Sequence, residues 1–98
     1  MAKRVKVTKK ANKRISDIAL YLESEFSYQA ADNVVKAFYK TIDKLAEQPK
    51  IGREVQSSKS MRFINMDKHR QIFYRTYGNT VSIIDVFDTR QNPKKRPT

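Results

Sequence analysis

The chain has 98 residues, with 21 Lys and Arg against 10 Asp and Glu, a net charge of +11 and a pI near 10.1. That length suits one domain, residues 1–98, with a single modest core. With no cysteine and one histidine, His69, it excludes a disulfide framework, a thiol nucleophile and any cysteine-based or multi-histidine metal site.

No apolar run approaches the roughly 18 residues of a membrane span, and no signal-peptide pattern follows Met1, so a cytoplasmic protein without membrane contact is expected. The positive charge is concentrated at the two ends. Lys3, Arg4, Lys6, Lys9, Lys10, Lys13 and Arg14 precede the first acid, and a second basic excess runs from Lys50 onward. Such a field attracts phosphate backbones or acidic proteins and speeds encounter with them.

Taken in order, Arg4-Val5-Lys6-Val7 alternates basic and apolar residues, the period-2 pattern of a half-buried strand near a sheet edge. Thr8 is placed to cap a following helix. Apolar residues at Ala11, Ile15, Ile18, Ala19, Leu22 and Phe26 recur every three or four positions and predict one helix over 9–26. Ser27 then caps a second, from about Tyr28 to Gln48, whose stripe is Ala31, Val34, Phe38, Ile42 and Leu45. Pro49 ends it. Joined by almost nothing, the two helices form an antiparallel hairpin whose apolar stripes need a sheet to cover them.

Lys50 to Ser60 reads as a polar connection, and Met61 to Met66 as a strand. The densest apolar run follows. Ile72, Phe73 and Tyr74 precede Gly78-Asn79, and Val81, Ile83, Ile84, Val86 and Phe87 come after it, which is the signature of a β-hairpin. Apolar residues on both parities of the last strand suggest that it is covered on both faces. The expected fold is α+β: an N-terminal strand, an antiparallel helical hairpin, then a three-stranded antiparallel sheet (β-α-α-β-β-β). Residues 91–98, with two prolines and three cations, are expected to form a mobile basic tail.

The chemistry is defined first by what is missing. The two glycines cannot form a phosphate-cradling loop, and no nucleophile-elbow pattern surrounds a serine. What remains is a cationic surface with interleaved aromatics. Metal-free RNA cleavage needs little more: a base for a ribose 2′-OH, cations for the charged phosphorane and an aromatic to stack a nucleobase. His69 could supply the base, or it could be a structural hydrogen-bonding group at the start of a strand.

Three features carry a family resemblance: the order of elements, Pro49-Lys50-Ile51-Gly52-Arg53 after the second helix, and His69-Arg70-Gln71-Ile72-Phe73-Tyr74-Arg75 with Val86-Phe87-Asp88-Thr89-Arg90-Gln91-Asn92-Pro93. Over essentially its whole length the chain resembles the RelE/ParE superfamily of toxins from bacterial type II toxin–antitoxin systems. The resemblance implies a growth-inhibiting toxin that needs no cofactor and is neutralised by an acidic antitoxin. RelE-like members cut mRNA on the ribosome with basic residues plus a late Tyr or His, whereas ParE-like members poison DNA gyrase. Arg90 matches the family arginine at the end of the last strand. Gln71 stands where the mRNA-cleaving members have a strand arginine, and no Tyr or His follows Arg90.

The resemblance therefore favours a ParE-like toxin acting on gyrase, with a RelE-like mRNA endonuclease as the alternative. On that alternative His69, Arg70 and Arg90 would be catalytic. Contacts to the target or to nucleic acid are expected from Lys59, Arg62, Arg75, Arg90, Lys94, Lys95 and Arg96.

Overall fold

Val5 and Val7 turn inward from β1 (Arg4–Val7), and the helices α1 (Lys9–Glu25) and α2 (Tyr28–Glu47) pack above them on the same side of a five-stranded sheet. The computed structural model describes residues 4–89, with only the backbone of Lys59. The expected basic tail and the site residues Arg90, Lys94, Lys95 and Arg96 lie outside the described residues.

Both helices begin as their caps dictate. The Thr8 hydroxyl accepts from the Ala11 amide at 3.2 Å, and that of Ser27 from the Ala30 amide at 3.1 Å. Thr8 also donates to the Ile83 carbonyl at 2.8 Å, so the start of α1 is fastened to the last strand. The expected stripes are the buried ones: Ala11, Ile15, Ile18 and Leu22 on α1, and Ala31, Val34, Phe38, Ile42 and Leu45 on α2. They meet Ile72, Tyr74, Val81, Ile83 and Val86 of the sheet in the main core.

The strand order is β1-β5-β4-β3-β2, with β2 (Arg53–Val55), β3 (Ser58–Asn65), β4 (Arg70–Tyr77) and β5 (Thr80–Asp88). Strands β2 to β5 pair antiparallel, and β1 joins β5 in parallel, so the sheet is mixed. The strand β2 corrects the expectation of a plain connection over 50–60. It is only three residues long, two of them exposed, so neither period nor composition announces it. The β4–β5 turn has Gly78 at φ +53°, and no other residue among those described has a positive φ. A positive φ at the first turn position alone is the type II′ pattern, which demands glycine there.

β5 is buried on both faces, as the apolar residues on both parities suggested, and a bulge adds to the mixed parity. This bulge falls where Phe73 pairs with Asp85 and Tyr74 with Ile83, which adds Ile84 as an extra residue. The bulge returns Val86 to the helix side, so Val81, Ile83 and Val86 all reach the main core. The opposite face carries a smaller cluster of Val55, Phe73 and Phe87 with Met61 and Phe63 beside it.

Candidate functional site

The turn between β3 and β4 is built around Asp67. Its Oδ1 accepts from the amides of His69 and Arg70, each at 2.9 Å, and its Oδ2 accepts from Arg70 Nη1 at 2.8 Å. Arg70 Nε lies 3.3 Å from Asp88 Oδ2 on the neighbouring strand, an ion pair without hydrogen-bond geometry. Arg70 is thus buried between two carboxylates, its side chain 8% exposed and that of Asp88 2%. It stands at one end of a cavity of about 370 Å³ whose other walls are Leu22, Ala30, Asn33, Val34 and Ala37 of the helices. The His69 carbonyl accepts from both the amide and the hydroxyl of Thr89, which ties the end of β5 to this turn. The half-buried His69 imidazole has no hydrogen-bond partner among the described residues.

Tyr74 is fully buried. Its hydroxyl accepts from the Gly52 amide and donates to the Pro49 carbonyl, both at 2.9 Å. Arg62 donates to the Gly52 carbonyl at 2.7 Å from the same side. Together they latch the loop after α2 onto the sheet, and this explains the Pro-x-Ile-Gly-Arg segment: a Cβ at Gly52 would stand 2.5 Å from the Tyr74 hydroxyl and 2.7 Å from the Phe63 carbonyl. Burial raises the Tyr74 pKa above its ordinary value, against smaller lowering effects of the Gly52 hydrogen bond and the Arg62 charge. The folded form therefore holds the Tyr74 proton more tightly than the unfolded chain does. That stabilisation is fully present below pH about 10 and is lost as the pH rises through the folded value. Phenolate absorbance on alkaline titration is expected to show one late-ionising tyrosine, absent from Tyr74→Phe.

Of the expected contact residues, Arg75 stands on the face of the sheet away from the helices. It is half-buried, and its Nε is buried with no hydrogen-bond partner. Lys59 belongs to β3, and Arg62 serves the Gly52 latch. The structure thus brings His69 and Arg70 together at one end of the sheet and leaves Arg75 on its open face. Arg4, Lys6 and Arg53 share that open face. Arg4 and Lys6 could have been found from the basic alternation of the first strand, whereas Arg53 could not, because β2 itself carries no such signal.

Two further features shape the surface. Asp85 is 4% exposed and pairs with Lys10 Nζ at 3.5 Å and Arg14 Nε at 3.3 Å, so it supplies the acid missing from the first turn of α1. At the far end of the helical hairpin Leu20, Tyr21, Phe26 and Tyr28 are exposed, with the Tyr21 and Phe26 rings edge-to-face at 6.4 Å. A cluster of exposed aromatics of this kind suits a protein contact more than a solvated tip. No group of three or more metal-ligating side chains is present among the described residues, and no helix there is long and apolar enough to cross a membrane.

Comparison with known proteins agrees with this architecture. The chain is similar in fold to the chromosomal ParDE toxin–antitoxin system from P. aeruginosa, with a TM-score of 0.76 at 15% identity, over 89% of this chain and 96% of that one. It is also similar to the RelBE2 toxin–antitoxin complex from Mycobacterium tuberculosis, with a TM-score of 0.63 at 15% identity, over 90% of this chain and 99% of that one. No curated protein matches it in sequence. The family model described as the ParE toxin of the type II toxin–antitoxin system parDE matches residues 5–93, and the chain belongs to that family of toxins.

Proposed function

We propose that this toxin acts on DNA gyrase, in the manner attributed to ParE-like members, and that a cognate acidic antitoxin holds it inactive. The observation that carries the choice of gyrase over mRNA is the enclosure of Arg70 between Asp67 and Asp88. A cation that must meet a phosphorane has to be open to substrate, and this one is committed to two carboxylates. Tyr74, which could have stacked a base, is committed to the Gly52 latch. His69 is left with the exposed Lys68 as its accessible cation in the turn, since Arg70 beside it is enclosed. An antitoxin partner is supported by the family and by the complexes in which the similar structures occur. The charge of +11 favours fast, salt-sensitive capture of an acidic segment that folds on the toxin surface.

The proposal is tested through His69. On the gyrase reading no proton is moved, so His69→Gln, which keeps hydrogen-bonding capacity, is expected to arrest growth as strongly as the parent. On the mRNA reading the same change removes the proton-transfer group and lowers cleavage by about 10²–10⁴. Growth arrest abolished in a folded His69→Gln protein would contradict the proposal.

A further inference from the structure

Among the described residues, the helix-free face of the sheet carries four cations on three of its five strands. The register places Lys6 beside Ser82, Ser82 beside Arg75 and Arg75 beside Met61, in one row across β1, β5, β4 and β3. Two residues along, Arg4, Thr80 and Tyr77 form a second row, and on the other side Arg53, Phe63 and Phe73 form a third. Their neighbours Val5, Val7, Ile72, Tyr74, Val81 and Ile83 point into the main core, so these rows face away from the helices. Among the described residues none of the four cations is paired with a carboxylate. The one acid in register with these rows, Asp85, is buried against Lys10 and Arg14.

From this arrangement we infer that the helix-free face is a docking surface for the phosphate backbone of duplex DNA. The inference rests on the gyrase reading and extends it: the toxin touches the DNA held by the enzyme as well as the enzyme. Neighbouring strands are about 4.8 Å apart and alternate residues about 7 Å apart, so Lys6 and Arg75 stand roughly 10 Å apart at the backbone and Arg4 and Lys6 roughly 7 Å. Long side chains on that grid reach phosphates of a duplex that carries one charge for every 1.7 Å or so of its axis. Arg4, Lys6 and Arg53 are exposed, so their charged ends can meet phosphate oxygens. Phe63 and Phe73 stack on each other at 5.7 Å, and Phe73 is fully buried, so apart from Tyr77 these rows offer little aromatic surface on which a single strand could stack its bases. The surface fits backbone contact without base readout.

The test uses the full-length protein and a fluorescent 30-base-pair duplex, without gyrase, with anisotropy followed across salt concentrations. Because gyrase is absent, a negative result overturns this inference while leaving gyrase poisoning to its own assay. The quadruple variant Arg4→Gln, Lys6→Gln, Arg53→Gln, Arg75→Gln is expected to reduce the slope of log K against log salt by about 3–4, near 0.9 for each lost phosphate contact. A control on the helices, Lys13→Gln with Lys40→Gln, is expected to keep the parental slope. If the quadruple variant does not fold, the triple without Arg75 replaces it, with an expected reduction of about 2–3. A parental slope in the folded variant would overturn the inference. So would displacement of the duplex by polyglutamate at a lower charge concentration than unlabelled duplex, which would assign the face to an acidic protein segment.

Discussion

Replacing Arg70 by Met is expected to destabilise the fold by about 3–5 kcal/mol, the cost of breaking a buried ion pair from one side. The substitution preserves most of the apolar volume but leaves Asp88, whose side chain is 2% exposed, without the guanidinium 3.3 Å away. Asp67 loses its 2.8 Å contact as well, although the His69 and Arg70 amides still hold its other oxygen. Arg70→Lys should fall between the two, because one ammonium cannot reach both carboxylates in the fixed geometry of a guanidinium. For a domain of this size each kcal/mol corresponds to roughly 4–8 °C in Tm, so thermal melting resolves the series easily. The measurement also separates roles. If Arg70 is structural, toxicity follows the folded fraction through the series. A well-folded Arg70→Lys protein with lost toxicity would point to chemistry instead. Adding Asp88→Asn to Arg70→Met is expected to restore part of the loss, since the buried charge that Arg70 faced is then removed.

The second large effect is expected at Gly52. Its Cβ position lies 2.5 Å from the Tyr74 hydroxyl, 2.8 Å from Tyr74 Cε1 and 2.7 Å from the Phe63 carbonyl, and the last of these is backbone within a paired strand. Gly52→Ala therefore forces either the ring or the loop to move, at about 1–3 kcal/mol for overpacking. If the ring moves, the Gly52 amide and the Pro49 carbonyl lose their partner, which adds about 1–3 kcal/mol. Tyr74→Phe in the parent costs only that second contribution. In the double variant the two losses should sum to less than their separate values, because Gly52→Ala has already disturbed the latch. Denaturant melts of the four proteins measure the cycle; strict additivity would contradict a shared latch.

The helices were legible because both stripes repeat at three and four and each begins at a capping hydroxyl, so Thr8 and Ser27 could be named as caps from the sequence. The β4–β5 hairpin was legible through Gly78. Three features were hidden for separate physical reasons. Strand β2 owes its existence to hairpin pairing with β3 over Arg53 to Val55, and three residues are too few to show a period. The bulge at Ile84 is masked in a strand buried on both faces, because one extra residue inverts parity just as an apolar outer face does. Arg70 and Tyr74 share one face of β4 with Ile72, yet a charge and a hydroxyl read as surface until their partners are known. Those partners, Asp88 and Gly52, are 18 and 22 residues away in sequence. Arg75 was named from the sequence and Ser82 beside it follows from the hairpin register, whereas Lys6 joins the row only through the parallel pairing of the first and last strands.

The proposal that this toxin poisons gyrase is tested most directly by one assay. Purified toxin is incubated with gyrase, ATP and supercoiled plasmid, the reaction is stopped with detergent and protease, and broken DNA is measured against toxin concentration, with ribosomes and mRNA run in parallel. The account predicts double-strand breaks that rise with toxin and require gyrase, with the mRNA left intact. Unbroken plasmid together with mRNA cut on the ribosome would contradict it.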